Sequence, residues 1–275
     1  MKAITRRAAI RNLTALSASL AYAREKGSAF GLVGDRYHNS DYIRTALDET
    51  LVRGAGLSID FFDDVKFLDA EGLRGYKLLV ILRDGMNWPD GYPAGAGRAG
   101  GPAEPVIVSV PPLPRREPNE FFWITPAQGK AVREFVSDGG SALFFHNVTY
   151  ISPHNEDFRD VLGAVTQGHP PIRPFKVKVV NKDHPITRGV SDFVVTDEQH
   201  FMIYQKDPKY LLLQSVNEDN LTYKDLGTSS AAGWAYDYGK GRVCYLAPGH
   251  LITALWNPEY EKIQKNAVRW LLRQT

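Results

Sequence analysis

Leu78-Leu79-Val80-Ile81-Leu82 carries no polar side chain at five consecutive positions. A strand with one wet face alternates apolar and polar residues. An unbroken apolar run therefore fits a strand covered on both faces, as in a parallel sheet wound by helices. Ala29-Phe30-Gly31-Leu32-Val33 has the same character, and Leu57 to Phe62 reads as a further strand between the two. Ile43, Ala46, Leu47, Thr50 and Leu51 recur at helical spacing, with Ser40 as N-cap and Gly54 as stop. Downstream, Thr125-Pro126-Ala127-Gln128 has the form of a capping box, with proline suited to the first turn. Ala131, Val132, Phe135 and Val136 form the apolar stripe of that helix, and Gly139-Gly140 ends it. Ser141 to Phe145 is then a fourth strand, emptying into His146-Asn147. Strand, helix, strand, strand with short connections predicts an α/β fold around a parallel sheet.

The second half holds more strands. Phe175 to Val180, Asp192 to Val195, Tyr210 to Gln214, Ala231 to Ala235 and Arg242 to Leu246 are the candidates. Asn257-Pro258 opens a last helix with Tyr260, Ile263, Ala267, Trp270 and Leu271 on one face. Residues 83–120 break the pattern: they hold eight prolines and sustain neither a helical nor a strand period. An excursion of this length is either a lid over the sheet edge or a disordered surface loop.

With 33 basic against 31 acidic residues in 275, the charge is too balanced for a nucleic-acid binder. No run of about 18 apolar residues predicts a membrane span. The first 23 residues contain Lys2, Arg6, Arg7 and Arg11 but no acid, then the apolar stretch Leu13 to Ala21 and the cleavable pattern Ala21-Tyr22-Ala23. Thr5-Arg6-Arg7-Ala8-Ala9-Ile10-Arg11 looks like a twin-arginine export signal, with Ala9 at the usual Phe position. The expectation is an exported, periplasmic domain over 24–275, whose net charge shifts from +2 to −2 when those four cations are removed. Cys244 is the only cysteine and lies in an apolar run, where an inert buried thiol is expected.

Several pieces together resemble the ThuA-like (trehalose-utilisation) family. They are His184-Pro185-Ile186-Thr187-Arg188-Gly189, Asp197-Glu198, Trp234, Tyr238-Gly239-Lys240-Gly241-Arg242-Val243, Gly249-His250 and the terminal Arg269-Trp270. Gly139-Gly140 with its following strand and Tyr37-His38 continue the likeness from about residue 29 to the end. The sequence departs from the pattern at His200, near where an aromatic residue commonly follows the Asp-Glu pair, and at Ser141, in place of a third glycine. The resemblance implies a flavodoxin-like sheet related to class I glutamine amidotransferases, and a loose association with carbohydrate metabolism.

Amidotransferases of this fold carry a cysteine at the sharp turn after a central strand. Here that exit offers His146-Asn147, and Cys244 lies inside another strand, so amide transfer from glutamine is set aside. What remains is a set of histidines at strand exits: His38 after the first strand, His146 after the fourth, His250 after the strand ending at Leu246. The C-terminal ends of parallel strands border one crevice, so these three are expected to converge there. Neutral imidazoles suit proton transfer to and from sugar hydroxyls or carbonyls. His146 and His250 are the candidate acid/base residues, with Glu198 in support. Asp197 and Glu198 are neighbours and point to opposite faces of a strand, so they are a poor pair for two-carboxylate glycoside hydrolysis. Asp35, Arg36, His38, Asn147 and Asp197 are candidates for binding a polar, carbohydrate-like ligand, and Trp234 and Trp256 for stacking on a sugar face. No cofactor is assigned. Three converging histidines could hold zinc or a similar cation, but without an HxH or HExxH spacing no residue is assigned to a metal. The alternatives to a sugar-processing enzyme are a non-catalytic carbohydrate-binding protein and a metal-dependent hydrolase.

Overall fold

The computed structural model describes residues 27–87 and 121–274. The export segment expected at 1–23 and residues 88–120 of the Pro/Gly-rich stretch lie outside the described residues. In chain order the elements begin β1 (Ala29–Val33), α1 (Ser40–Leu47), β2 (Ile59–Phe62), α2 (Ala70–Leu73) and β3 (Leu78–Leu82). A short ribbon of β4 (Met86–Asn87) and β5 (Phe121–Phe122) leads to α3 (Pro126–Ser137), β6 (Ser141–Phe145) and α4 (Glu156–Leu162). Then follow β7 (Ala164–Gly168), β8 (Arg173–Val179), β9 (Phe193–Asp197), β10 (Phe201–Tyr204), β11 (Leu211–Val216) and β12 (Ser229–Tyr238). The chain closes with β13 (Gly241–Leu246), α5 (Ile252–Leu255) and α6 (Pro258–Leu271).

Nine strands form one sheet in the order β2-β1-β3-β6-β13-β12-β11-β8-β9. The first five pair in parallel, and the rest continue antiparallel from β13. The parallel half has the strand order 2-1-3-4-5 of the flavodoxin-like fold, with its topological switch between β1 and β3. Every residue of β1, β3 and β6 is buried, because helices cover both faces. The pleat of β6 shows this: Ser141 Oγ donates to the Leu271 carbonyl of α6 at 2.9 Å. Phe144, of opposite parity along the strand, meets the Phe158 ring of α4 at 5.4 Å. Among the described residues no helix is long and apolar enough to cross a membrane.

The capping box at Thr125 and Gln128 is formed as the spacing predicts. For α1 the cap is Asn39 rather than Ser40: Asn39 Oδ1 accepts from the Asp41 N–H at 2.7 Å. Its amide oxygen reaches two residues on, which places the first helical residue at Ser40. The helix then widens over Asp48–Arg53 before Gly54. The Pro/Gly-rich stretch begins later than residue 83. Arg83 and Asp84 are buried, and Met86–Asn87 pairs antiparallel with Phe121–Phe122.

Trp234 is fully buried in β12. Its ring stacks on Tyr245 at 4.2 Å and packs against Tyr204 at 5.0 Å, and its Nε1–H donates to the Leu162 carbonyl at 2.8 Å. This corrects the expectation of a sugar-stacking ring, since neither face is open. Trp234→Ala should lose about 3–5 kcal/mol of stability, read by urea unfolding. A variant that unfolds like the parent and loses only sugar binding would restore the stacking role.

Candidate functional site at the sheet edge

Five of the seven histidines in the chain gather around one carboxylate at the C-terminal edge of the sheet. Glu198 Oε2 lies 3.3 Å from His146 Nε2, 3.3 Å from His250 Nδ1, 3.4 Å from His200 Nε2 and 3.5 Å from His169 Nε2. His38 joins through its Nε2, 2.9 Å from His250 Nδ1. The crevice therefore collects side chains from the exits of β1, β6, β9 and β13, together with loops of the antiparallel half.

Each exit is held by its own contacts. After β1, Gly34 turns with φ +87°, a left-handed value that suits glycine. Asp35 follows with its side chain buried, and its carboxylate accepts from Nδ1–H of His38 at 2.8 Å. It also accepts from the backbone N–H groups of Tyr37, His38 and Asp84 and from Asn147 Nδ2. Burial opposes ionisation of Asp35, but the His38 bond and charge and these N–H donors hold its pKa below the usual carboxylate value. With its oxygens committed, Asp35 positions His38, which corrects its assignment as a ligand-binding group. Asn147, 2% exposed, belongs to the same trio. Arg36 is half-buried, with its guanidinium 5.5 Å from the Tyr37 ring centroid.

His146 leaves β6 with φ +50°. A non-glycine residue there is strained by about 1–3 kcal/mol, and such strain clusters at functional sites. Three contacts hold it. Its ring Nδ1–H donates to the Ala247 carbonyl at 2.9 Å, and its own carbonyl accepts from Tyr245 Oη–H at 2.8 Å. Gly249 supplies the space, because a Cβ at that position would sit 2.7 Å from His146 Cβ.

Asp197 is fully buried and accepts from the N–H groups of Gly249 (2.9 Å) and His250 (3.1 Å). Burial raises its pKa, against the backbone N–H donors that favour its charge. It clasps the loop after β13, which corrects its assignment as a ligand-binding residue. Glu198, next in the chain, turns the other way into the histidines. Burial works against its charge, yet the imidazoles of His146, His200 and His250 hold its carboxyl far below the usual range. Burial works against protonation of His250, but Glu198 raises its pKa. Burial, and then the neighbouring His146, hold His200 well below the ordinary imidazole value.

The sequence reading missed His169, His200, Arg83 and Asp84. His200 stood out only as a departure from an aromatic residue, and His169 lies just beyond β7, a strand with no clear alternation. Arg83 Nη1 donates to the carbonyls of Gly34 and Asp63, tying the exit of β3 to the loops beside it. Trp256 is 38% exposed at the end of α5. Cys244 is fully buried, and burial pushes its thiol pKa up, so it offers no thiolate.

Asp84 is pushed up to about 7, first by burial and then by the charge of Asp35. Its proton is held more tightly in the folded chain than in the unfolded one. That contribution to stability is fully present below the ordinary Asp value and is lost as pH rises through about 7. Asp84→Asn should therefore flatten the fall in melting temperature across that window. Identical pH–stability profiles for parent and variant would show that Asp84 is not the group responsible.

Residues 118–271, more than half of the chain, match the ThuA family, described as trehalose utilisation. The fold is similar to that of a ThuA-like protein from Bacteroides uniformis, at 18% identity over 88% of this chain and 89% of that one, with a TM-score of 0.59. A ThuA-like protein from Parabacteroides merdae is similar at 14% identity, 91% of both chains and a TM-score of 0.64. A β-galactosidase from Bacillus circulans is similar over 33% of its length and 96% of this chain, at 11% identity and a TM-score of 0.51. No match was found among curated proteins. With its parallel half-sheet, added antiparallel strands and this match, the chain belongs to the ThuA family.

Proposed function

We propose that the chain is an enzyme acting on a sugar or modified sugar at the crevice beside Glu198. The observation that carries the reading is the placement of four imidazole nitrogens within 3.5 Å of a single carboxylate oxygen. A group of this density is costly to assemble unless the charges do something, because each buried imidazole or carboxylate gives up hydration. The family description, trehalose utilisation, supports a carbohydrate as substrate class.

His146, His250 and Glu198 are the groups proposed to meet the reacting hydroxyl or carbonyl, where imidazole chemistry operates near neutral pH. The Glu198 side chain is 13% exposed and that of His250 19%, so a small ligand can reach them from the open side. His169, the most exposed imidazole at Glu198, is suited to exchange protons with solvent. His38 is held from behind by Asp35. Trp256 offers an exposed ring for a sugar face. Export is part of the same proposal and rests on the segment around Arg6-Arg7.

The test is a turnover screen of the purified chain against intact and oxidised disaccharides, trehalose included, with products separated by chromatography. For any substrate found, Glu198→Gln and His146→Ala should lower kcat by about 10²–10⁴-fold while the protein remains folded. Sugar binding without turnover in the parent would leave a carbohydrate-binding protein instead. Folded variants that turn over at the parent rate would remove the cluster from the chemistry.

A further inference from the structure

We propose that His38 Nε2, His146 Nε2, His250 Nδ1 and Glu198 Oε2 bind one divalent first-row transition-metal ion of the zinc class. The proposal rests on the enzyme reading above only for what the ion does; the binding itself stands on geometry.

The four ligand atoms all lie within 4.8 Å of one another. His146 and His250 are each 3.3 Å from Glu198 Oε2, and His38 is 2.9 Å from His250. Ligands held about 2.0–2.1 Å from a tetrahedral zinc ion stand about 3.3 Å apart. Three of the separations, at 2.9–3.3 Å, are already close to the spacing an ion would impose.

His38 donates its Nδ1–H to Asp35, and His146 donates its Nδ1–H to the Ala247 carbonyl. In the neutral ring each Nε2 is therefore a bare lone pair facing the centre. His146 Nε2 is fully buried and has no hydrogen-bond partner, and the nearest charged atom is a carboxylate oxygen, itself an acceptor. His250 Nδ1 faces both His38 Nε2 and Glu198 Oε2, and a single proton there can serve only one of them. With the His38 and His146 rings neutral, four electron-pair donors thus converge with at most one shared proton among them. A cation at the centre satisfies all four at once.

A carboxylate behind His38 and a backbone carbonyl behind His146 fix the ring orientation and tautomer, as the outer partners of metal-bound histidines do. Three imidazoles and a carboxylate suit zinc, cobalt or a neighbouring transition ion and not magnesium or calcium, which prefer all-oxygen sets. Such an ion would polarise a sugar carbonyl or hydroxyl oxygen; His146, His250 and Glu198 would then act through the ion rather than as acid and base, and His169, the most exposed imidazole, would be left to exchange protons.

The test uses the full purified chain, stripped with a chelator and titrated with Zn²⁺ by calorimetry and with Co²⁺ by visible absorption. About one ion per chain is expected, together with the intense visible bands of low-coordinate Co²⁺. His146→Ala and Glu198→Gln should each weaken Zn²⁺ binding by at least about 100-fold, Asp35→Asn by about 10–100-fold, and exposed His154→Ala not at all. If a variant fails to fold, the Co²⁺ spectrum of the parent decides alone, and a spectrum like that of the aqueous ion overturns the proposal. No stoichiometric binding, or folded variants that bind as well as the parent, also overturns it. The two readings fail separately. A chain that binds Zn²⁺ but turns over no sugar loses only the enzyme reading, whereas turnover that survives complete metal removal overturns the ion's role and leaves the histidine chemistry standing.

Discussion

The Asp197 carboxylate, fully buried and accepting from the N–H groups of Gly249 and His250, is the contact on which the site depends. In the sheet, β9 is four strands away from β13. On a flat sheet at about 4.8 Å per strand their ends would stand roughly 19 Å apart. The hydrogen bonds close that gap, so the antiparallel half must curl back over the helices that follow β13. Other contacts agree: Asn257 Nδ2 donates to the Val194 carbonyl, and Phe193 packs on Tyr260. The curl carries Glu198 from the far edge of the sheet into a crevice otherwise built from the exits of β1, β6 and β13. Two backbone N–H groups, that of Gly249 buried and that of His250 partly so, depend on Asp197, so the clasp is costly to lose as well as costly to bury.

A second constraint acts at β6. The left-handed backbone of His146 sends its ring into the crevice rather than along the sheet, and its neighbours leave little choice. Gly249 has no side chain to collide with it, Ala247 fixes its ring, and Tyr245 fixes its carbonyl. Because Gly249 also donates to Asp197, the strain at His146 and the clasp at β9 meet in one loop. Altering either disturbs the other, and their energies are not expected to add.

Much of the fold was legible because burial on both faces of a parallel strand leaves an unbroken apolar run, as at 29–33, 78–82 and 142–145. The capping box at Thr125 was legible for a local reason, since all its atoms lie within four residues. β7 and β10 were not. They are short, partly exposed and paired only with each other, so no periodicity marks them. At the site, His38, His146 and His250 could be named because chain order plus parallel topology brings strand exits to one edge. The opposite-face rule also separated Glu198 from Asp197, although the buried partner proved to be a loop clasp. His169 and His200 were illegible because they reach the crevice through the curl of the antiparallel half, a tertiary event that no local pattern encodes. Trp234 was misjudged for a similar reason. A strand tryptophan reads alike whether it faces a ligand or a core, and only Tyr204 and Tyr245 decide it.

The same geometry explains why histidine rather than cysteine occupies the sharp turn after the central strand. The lone thiol sits within β13, fully buried, with its pKa pushed up by desolvation. A nucleophile at the β6 exit would also stand beside the Glu198 carboxylate, which disfavours a second anion through charge repulsion. An imidazole avoids that conflict: neutral, it presents a lone pair, and protonated, it is attracted to the carboxylate. The crevice is thus arranged to collect neutral donors around one fixed negative charge. The resulting polarity suits the binding of a positive centre, whether a proton or a metal ion, and does not suit generation of a thiolate.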